Sequence, residues 1–160
     1  MSSFNPERYN KEKQVAIEFF DRNKFITSLS LGRVVFNSDG LFHLVNKNEK
    51  HRRDWKDQVK RFQILRYVKP VLEGMRYYQE YRENLENIRI KEHGVPKFVS
   101  KHVRYWAFVA VINDKIRIKI ILKEVGEGQI IFWSVLPFWK TRQYQGIKLT
   151  DLATGDLNAD

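Results

Sequence analysis

Few residues of this 160-residue chain can carry chemistry, and their types narrow it at once. There is no cysteine, which excludes a thiol nucleophile, thiolate metal sites and disulfide staples. Histidines stand at 43, 51, 93 and 102, cations crowd the stretch IRIKIILK at 116–123, and a hydroxyl follows at Ser134. Phosphodiester hydrolysis by two metal ions needs several convergent carboxylates. The strands that hold these cations offer none in the right place, because Asp114 falls in a turn and Glu124 at the far end of its strand. A substrate that brings its own nucleophile, a 2′-hydroxyl, needs only a proton carrier and a cation for the charge that grows on the phosphate. Lys119 and Arg117 can supply the cation and Ser134 a hydrogen bond.

The proton carrier must come from the histidines. His102 begins a strand six residues from the position facing Lys119, roughly 20 Å away at strand rise. His93 sits in the turn HGVP and His51 in the charge run HRRDWK, and both read as surface residues. By elimination His43 remains, on a short amphipathic helix with Lys47 one turn on. From the residues alone, a partly buried structural histidine is an equally simple reading of it.

The charge balance points the same way. Lys and Arg total 29 against 19 Asp and Glu, a net charge of +10, which favours a polyanionic partner: nucleic acid first, an anionic membrane second. The longest apolar runs, residues 108–112 and 130–136, fall far short of the roughly 20 residues of a spanning helix. The N-terminal residues MSSFNPERYNKEK contain no apolar leader core. The expectation is a soluble, cytoplasmic protein without cofactor, metal or membrane partner.

The elements that must position these residues follow from pattern. Residues 11–20 fit a short helix loosely, 27–37 a strand closed by the turn signal NSDG, and LFHLVNK a short helix capped by Ser38 or Asp39. From Asp54 the spacing of Trp55, Val59, Phe62, Leu65, Val68, Val71, Leu72 and Met75 predicts helix, interrupted at Pro70 and ending near Leu85. Ile88 and Ile90 alternate with Arg89 and Lys91 as a strand, and a meander follows: 105–112, 115–123 and 130–136, stopped by Pro137.

A two-residue loop at Asn113-Asp114 sets Ala110 opposite Arg117 and Phe108 opposite Lys119. Tyr105, Ala107, Val109 and Val111 then share a face with Ile116, Ile118, Ile120 and Leu122, for helices to cover. The other face interleaves Arg104, Trp106, Phe108 and Ala110 with Arg117, Lys119, Ile121 and Lys123. Such a face suits RNA, because cations displace counterions from the backbone and rings stack on unpaired bases at about 1–3 kcal/mol each. The plain alternative is that another element covers the rings while the cations lie along them. Arg117 and Lys119 without a carboxylate would be costly to bury, so they are expected to meet an anion. A second two-residue loop at Gly126-Glu127 puts Ser134 opposite Lys119 and Trp133 in the core, whereas a bulged loop would turn Trp133 outward.

The ordered set GLFHLVNK (40–47), DQVKRFQIL (57–65), RYWAFVAVI (104–112), IRIKIILKEVGEG (116–128) and FWSVLPFWK (132–140) resembles the phage-associated branch of the barnase/EndoU/colicin/RelE nuclease superfamily. The similarity spans most of residues 34–140. It implies helices followed by a four-stranded antiparallel sheet, metal-independent RNA cleavage, and an active site shared by helix and sheet. The matching polar positions are His43, Lys47, Arg61, Lys119 and Ser134.

Residues and resemblance together predict an α+β domain with N-terminal helices packed on one face of a four-stranded antiparallel sheet. His43 would move the proton, Arg61 and Lys119 stabilise charge, and Ser134 hold a phosphate oxygen. Lys47, Arg104, Trp106, Phe108, Arg117 and Lys123 would bind RNA. Residues 1–24 form a helical extension, 25–140 the nuclease-like domain and 141–160 a flexible polar tail. The rivals are an RNA-binding module without chemistry and a basic domain that docks an acidic protein, such as an inhibitor or antitoxin.

Overall fold

A computed structural model of the chain describes residues 3–138, 143–144, 147–148 and 156–160. Helix α1 (Pro6–Arg22) starts at Asn5, whose side chain accepts from the Arg8 amide, with Pro6 in the first turn where its missing N–H costs nothing. It buries Tyr9, Ala16 and Phe20 in the same core as the sheet. Residues expected as one strand fold instead into a hairpin, β1 (Phe25–Ser28) and β2 (Gly32–Val35), because Gly32 supplies the positive φ of 78° that the turn needs.

Helix α2 (Ser38–Val45) is capped by Asn37 rather than Ser38 or Asp39: the Asn37 side chain accepts from the Asp39 amide at 3.0 Å. Beyond it, β3 (Asn46–Asn48) and β4 (His51–Arg52) form a small hairpin. Helix α3 (Trp55–Ile64) is capped by Asp54 and continues through a 3-10 turn (Leu65–Tyr67) into α4 (Val68–Gly74). Pro70 causes no break at Lys69, since it lies in the first turn of α4. The helix expected as far as Leu85 ends at Gly74, and strand takes over at β5 (Glu80–Glu92). Strands β6 (Val95–Val111), β7 (Arg117–Val125) and β8 (Ile130–Pro137) complete the meander. Two short strands, β9 (Gln143–Tyr144) and β10 (Ile147–Lys148), pair with each other.

The fold is α+β, and its sheet is larger than four strands. The order is β1-β2-β8-β7-β6-β5, an antiparallel run of four widened by the β1–β2 hairpin, with β2 parallel to β8 at Val34↔Ile130 and Val35↔Ile131. Ile26 and Val34 bring that hairpin into the core that the helices cover. Among the described residues no helix is long and apolar enough to cross a membrane. Of the tail expected over 141–160, residues 141–142, 145–146 and 149–155 lie outside the described residues, while 156–160 pack against the sheet, with Leu157 and Asp160 buried.

One turn changes the expected face. The Asn113 side chain accepts from the amides of both Lys115 and Ile116 at 2.8 Å, an Asx-type turn that closes a loop of three residues, not two. Pairing therefore slips by one: Val109 lies opposite Lys119 and Phe108 opposite Ile120. Such a slip moves every side chain of one strand to the other face. Trp106, 7% exposed, and Phe108, 0% exposed, join Ile118, Ile120 and Leu122 under the helices, so neither can stack a base. Tyr105 and Ala107 share the opposite face with Ile121 and Lys119 instead.

The second turn also differs from expectation. Lys119 pairs with Leu136 and Ile121 with Ser134, then the register jumps to Leu122↔Phe132, leaving Trp133 as the extra residue of a β-bulge. Consecutive residues Trp133 and Ser134 both face away from the helical core as a result. Past Ile131, where pairing with β2 ends, α2 and α3 lie along β8.

That approach depends on Gly40. A Cβ there would stand 2.5 Å from the Phe132 carbonyl oxygen, a backbone atom that cannot rotate away. Gly40→Ala gains about 1 kcal/mol of helix propensity but forces α2 off β8, and overpacking of this kind costs about 1–3 kcal/mol. The steric term wins when the helix cannot shift, so thermal unfolding of Gly40→Ala is expected several degrees below wild type; an unchanged or raised midpoint would show that α2 is free to move.

Candidate active site

The sheet face opposite the helices is a cleft floored by Tyr105, Ala107, Lys119, Ile121, Lys123 and Ser134. Because Glu80 pairs with Ala107, the even residues of β5 reach this face as well, bringing Glu80 and Glu86. The cation face is therefore not free of carboxylates: Glu80 Oε2 lies 2.8 Å from Lys119 Nζ, and Glu86 accepts from the Tyr105 hydroxyl.

Helix α3 contributes Asp57 and Arg61 at one-turn spacing, and Arg53, just before its Asp54 cap, adds a third charge. Asp57 Oδ1 accepts from Arg61 Nε at 2.8 Å, and Asp57 Oδ2 lies 3.8 Å from Arg53 Nη1. Arg61, 1% exposed, aims its Nη1 at Ser134 Oγ, 2.7 Å, and at the main-chain oxygen of Asp160. Ser134 Oγ in turn donates to the same oxygen at 2.8 Å. Lys119 Nζ, also 1% exposed, lies 3.9 Å from Asp160 Oδ2. Arg53 reaches the group from beside α2: its Nε donates to the His43 carbonyl, and its Nη2 to His43 Nε2 at 3.1 Å and to Ala159 O at 3.0 Å.

His43 is held in one protonation state. A guanidinium can only donate, so His43 Nε2 accepts from Arg53 and the ring proton sits on Nδ1. The imidazole stacks on Trp133 with ring centroids 4.2 Å apart, and Lys123 Nζ lies 3.8 Å from the Trp133 ring centre. Burial first, then the charges of Arg53, Arg61 and Lys123, lower its pKa from 6.5 to about 2. Burial also lowers Lys123, and together with Arg61 it lowers Arg53 to about 10, leaving the latter charged at neutral pH.

The structure thus brings Arg61, Lys119 and Ser134 together around Asp160, with His43 joined to the group through Arg53. Lys123 lies on the same face over two rings, and Arg117 sits beside Lys119 with its guanidinium 5.6 Å from the Phe138 ring centre. Other expected RNA contacts fall elsewhere. Lys47 is exposed in β3, because α2 stops at Val45 and the one-turn relation to His43 does not form. Arg104 pairs with Glu124 at 3.2 Å on the helix-side set of positions, and Trp106 and Phe108 are in the core.

Four participants escaped sequence reasoning: Arg53, Asp57, Glu80 and Trp133. Part of the signal was present, since Asp57 and Arg61 stand four residues apart on one helix face and Arg53 stands four residues before Asp57. Read as a charge run, they looked solvated. Comparison with protein-family models, with curated proteins and with solved structures returns no match.

The burial of His43 makes stability depend on pH. The folded state holds the group at about 2, below the 6.5 of an unfolded chain, so its stabilising contribution is complete above pH 6.5 and is lost as pH falls beneath that value. The loss is about 1.4 kcal/mol per pH unit, as the unfolded chain takes up a proton that the folded chain refuses. Chemical denaturation at about pH 7.5 and about pH 5 should show His43→Gln losing roughly 2 kcal/mol less than wild type between the two. Equal losses would mean that His43 is not held neutral by its surroundings.

Proposed function

We propose that the cleft binds an RNA phosphodiester and cleaves it by attack of the neighbouring 2′-hydroxyl, as a metal-independent endoribonuclease. The observation that carries this reading is the convergence of Arg61 Nη1, Ser134 Oγ and Lys119 Nζ on the oxygens of one residue, Asp160. Donors arranged in this way suit the non-bridging oxygens of a phosphate, and in a site withdrawn from water they stabilise charge that grows there more strongly than solvated groups would. Asp57 and Glu80, which border this group, are each engaged with a cation, so they offset the positive charge of the site rather than standing ready for a metal ion.

In the proposed step His43 Nε2 gives up its bond from Arg53 and takes the proton of the 2′-hydroxyl, the O2′–P bond forms and the P–O5′ bond breaks. O5′ leaves with a proton returned by His43, giving a 2′,3′-cyclic phosphate and a 5′-hydroxyl. Arg61 and Lys119 face the charge that grows on phosphorus-bound oxygen, and Ser134 donates to one of those oxygens. Burial first, and then the charges of Arg53, Arg61 and Lys123, keep the His43 imidazole neutral, the form that accepts a proton, and a phosphate in the place of Asp160 keeps negative charge beside Arg53 and Arg61. Trp133, stacked on His43 at the cleft wall, takes over the ring function expected of Trp106 and Phe108.

A second reading, RNA binding without chemistry, is favoured by one feature: the only lone pair of His43 is committed to Arg53. The two separate in one assay. Purified protein incubated with RNA in EDTA should yield fragments ending in 2′,3′-cyclic phosphate, and His43→Gln should slow their release by about 10²–10⁴-fold with RNA affinity retained. Salt-sensitive binding by folded protein with no cleavage at high protein concentration would leave the binding module and remove the nuclease.

A further inference from the structure

The cleft is not open. Residues 156–160 (DLNAD) lie along it from end to end, and their contacts are with the side chains proposed to meet RNA. Asp156 Oδ1 lies 3.6 Å from Arg82 Nη1 at the rim. Leu157, 4% exposed, inserts among Tyr105, Ala107 and Ile121. Asn158 accepts from the Tyr105 hydroxyl through its side chain at 2.8 Å and from the Trp133 indole N–H through its carbonyl at 3.2 Å. Ala159 O accepts from Arg53, and Asp160 fills the point where Arg61, Ser134 and Lys119 converge.

We infer that residues 156–160 are an intramolecular competitor for the RNA site: in the resting protein they occupy the phosphate position and the ring beside it, and RNA binds only as they leave. This rests on the reading of the cleft as an RNA site. The chemistry of the segment fits the role, with carboxylates at both ends of a five-residue stretch and carbonyl oxygens offered to the cations between them. Its hold is suited to release, since one leucine provides the apolar anchor and the remaining contacts are polar groups that a ribonucleotide can replace. A tethered competitor acts at a high effective concentration whatever the amount of protein. The apparent affinity for RNA is then reduced by the fraction of molecules in which the segment is docked.

The test measures binding of a 2′-O-methyl oligonucleotide, which cannot be cleaved, to the full chain and three variants of verified fold. Leu157→Ala removes the anchor without changing charge, Asp160→Ala removes the carboxylate that faces Lys119 while keeping the main-chain oxygen that Arg61 and Ser134 meet, and Asp114→Ala matches its charge change in an exposed turn. The first two are expected to bind on the order of ten-fold more tightly than wild type, with Asp114→Ala within about two-fold of it. In wild type, saturating oligonucleotide should move the Leu157 methyl resonances from their buried positions to those of a solvated leucine. Equal affinities across all four proteins, or RNA bound with Leu157 still buried, would overturn the inference and leave the RNA site standing. Binding by none of the four would instead remove the RNA reading itself, and the competitor with it.

Discussion

Removing cations from water governs the rest of this structure. Arg53, Arg61 and Lys119 are 5%, 1% and 1% exposed, and a charge so withdrawn costs several kcal/mol unless partners replace its hydration. The chain meets that cost from three directions: Asp57 on α3, four residues from each arginine, Glu80 on the edge strand β5, and Asp160 from residues far along the sequence. His43, next to the same guanidinium groups, answers by staying neutral. An occupant that replaced Asp160 would have to bring the negative charge that Asp160 now supplies.

The geometry of that site comes from a defect in regularity. In an unbroken antiparallel ladder Trp133 and Ser134 would point to opposite faces, one into the core and one into the cleft. The bulge between Ile121 and Leu122 turns both into the cleft, so that the hydroxyl reaches Arg61 while the indole supports the His43 ring. Because β2 pairs with β8 only through Ile131, the remainder of β8 is left for helices, and Gly40 lets α2 come against its backbone. Helical Arg61 can thus meet a side chain on the face opposite the helical core. The bulge, the short parallel pairing and the glycine act on the same strand, and the site needs each of them.

The fold class, the helix-rich first half and the strands at 105–136 were legible because apolar spacing reports burial directly. The candidate residues His43, Lys119 and Ser134 were legible through their chemistry, and Arg61 through a resemblance in ordered motifs. The faces were not. Asn113 closes its turn by accepting from two amides, and nothing in the dipeptide Asn-Asp distinguishes that loop from a two-residue one; the difference of one residue sent Trp106 and Phe108 to the core and Tyr105 to the cleft. The residues from Tyr77 to Leu85 continue an apolar spacing that fits helix as well as strand, which hides the start of β5 and with it the place of Glu80 in the cleft.

Taken alone, the order of residues determined which groups could do chemistry, how strongly basic the chain is, and that helices and an antiparallel meander would build an α+β fold. Those properties are local: charge, side-chain type and periodicity need no knowledge of what lies across the molecule. Tertiary structure decided which cations are buried, which histidine nitrogen meets Arg53, and that residues 156–160 fill the cleft. Each of these depends on contacts between segments up to 107 positions apart in the chain, as between Arg53 and Asp160, and on a strand register in which a shift of one residue exchanges core for surface.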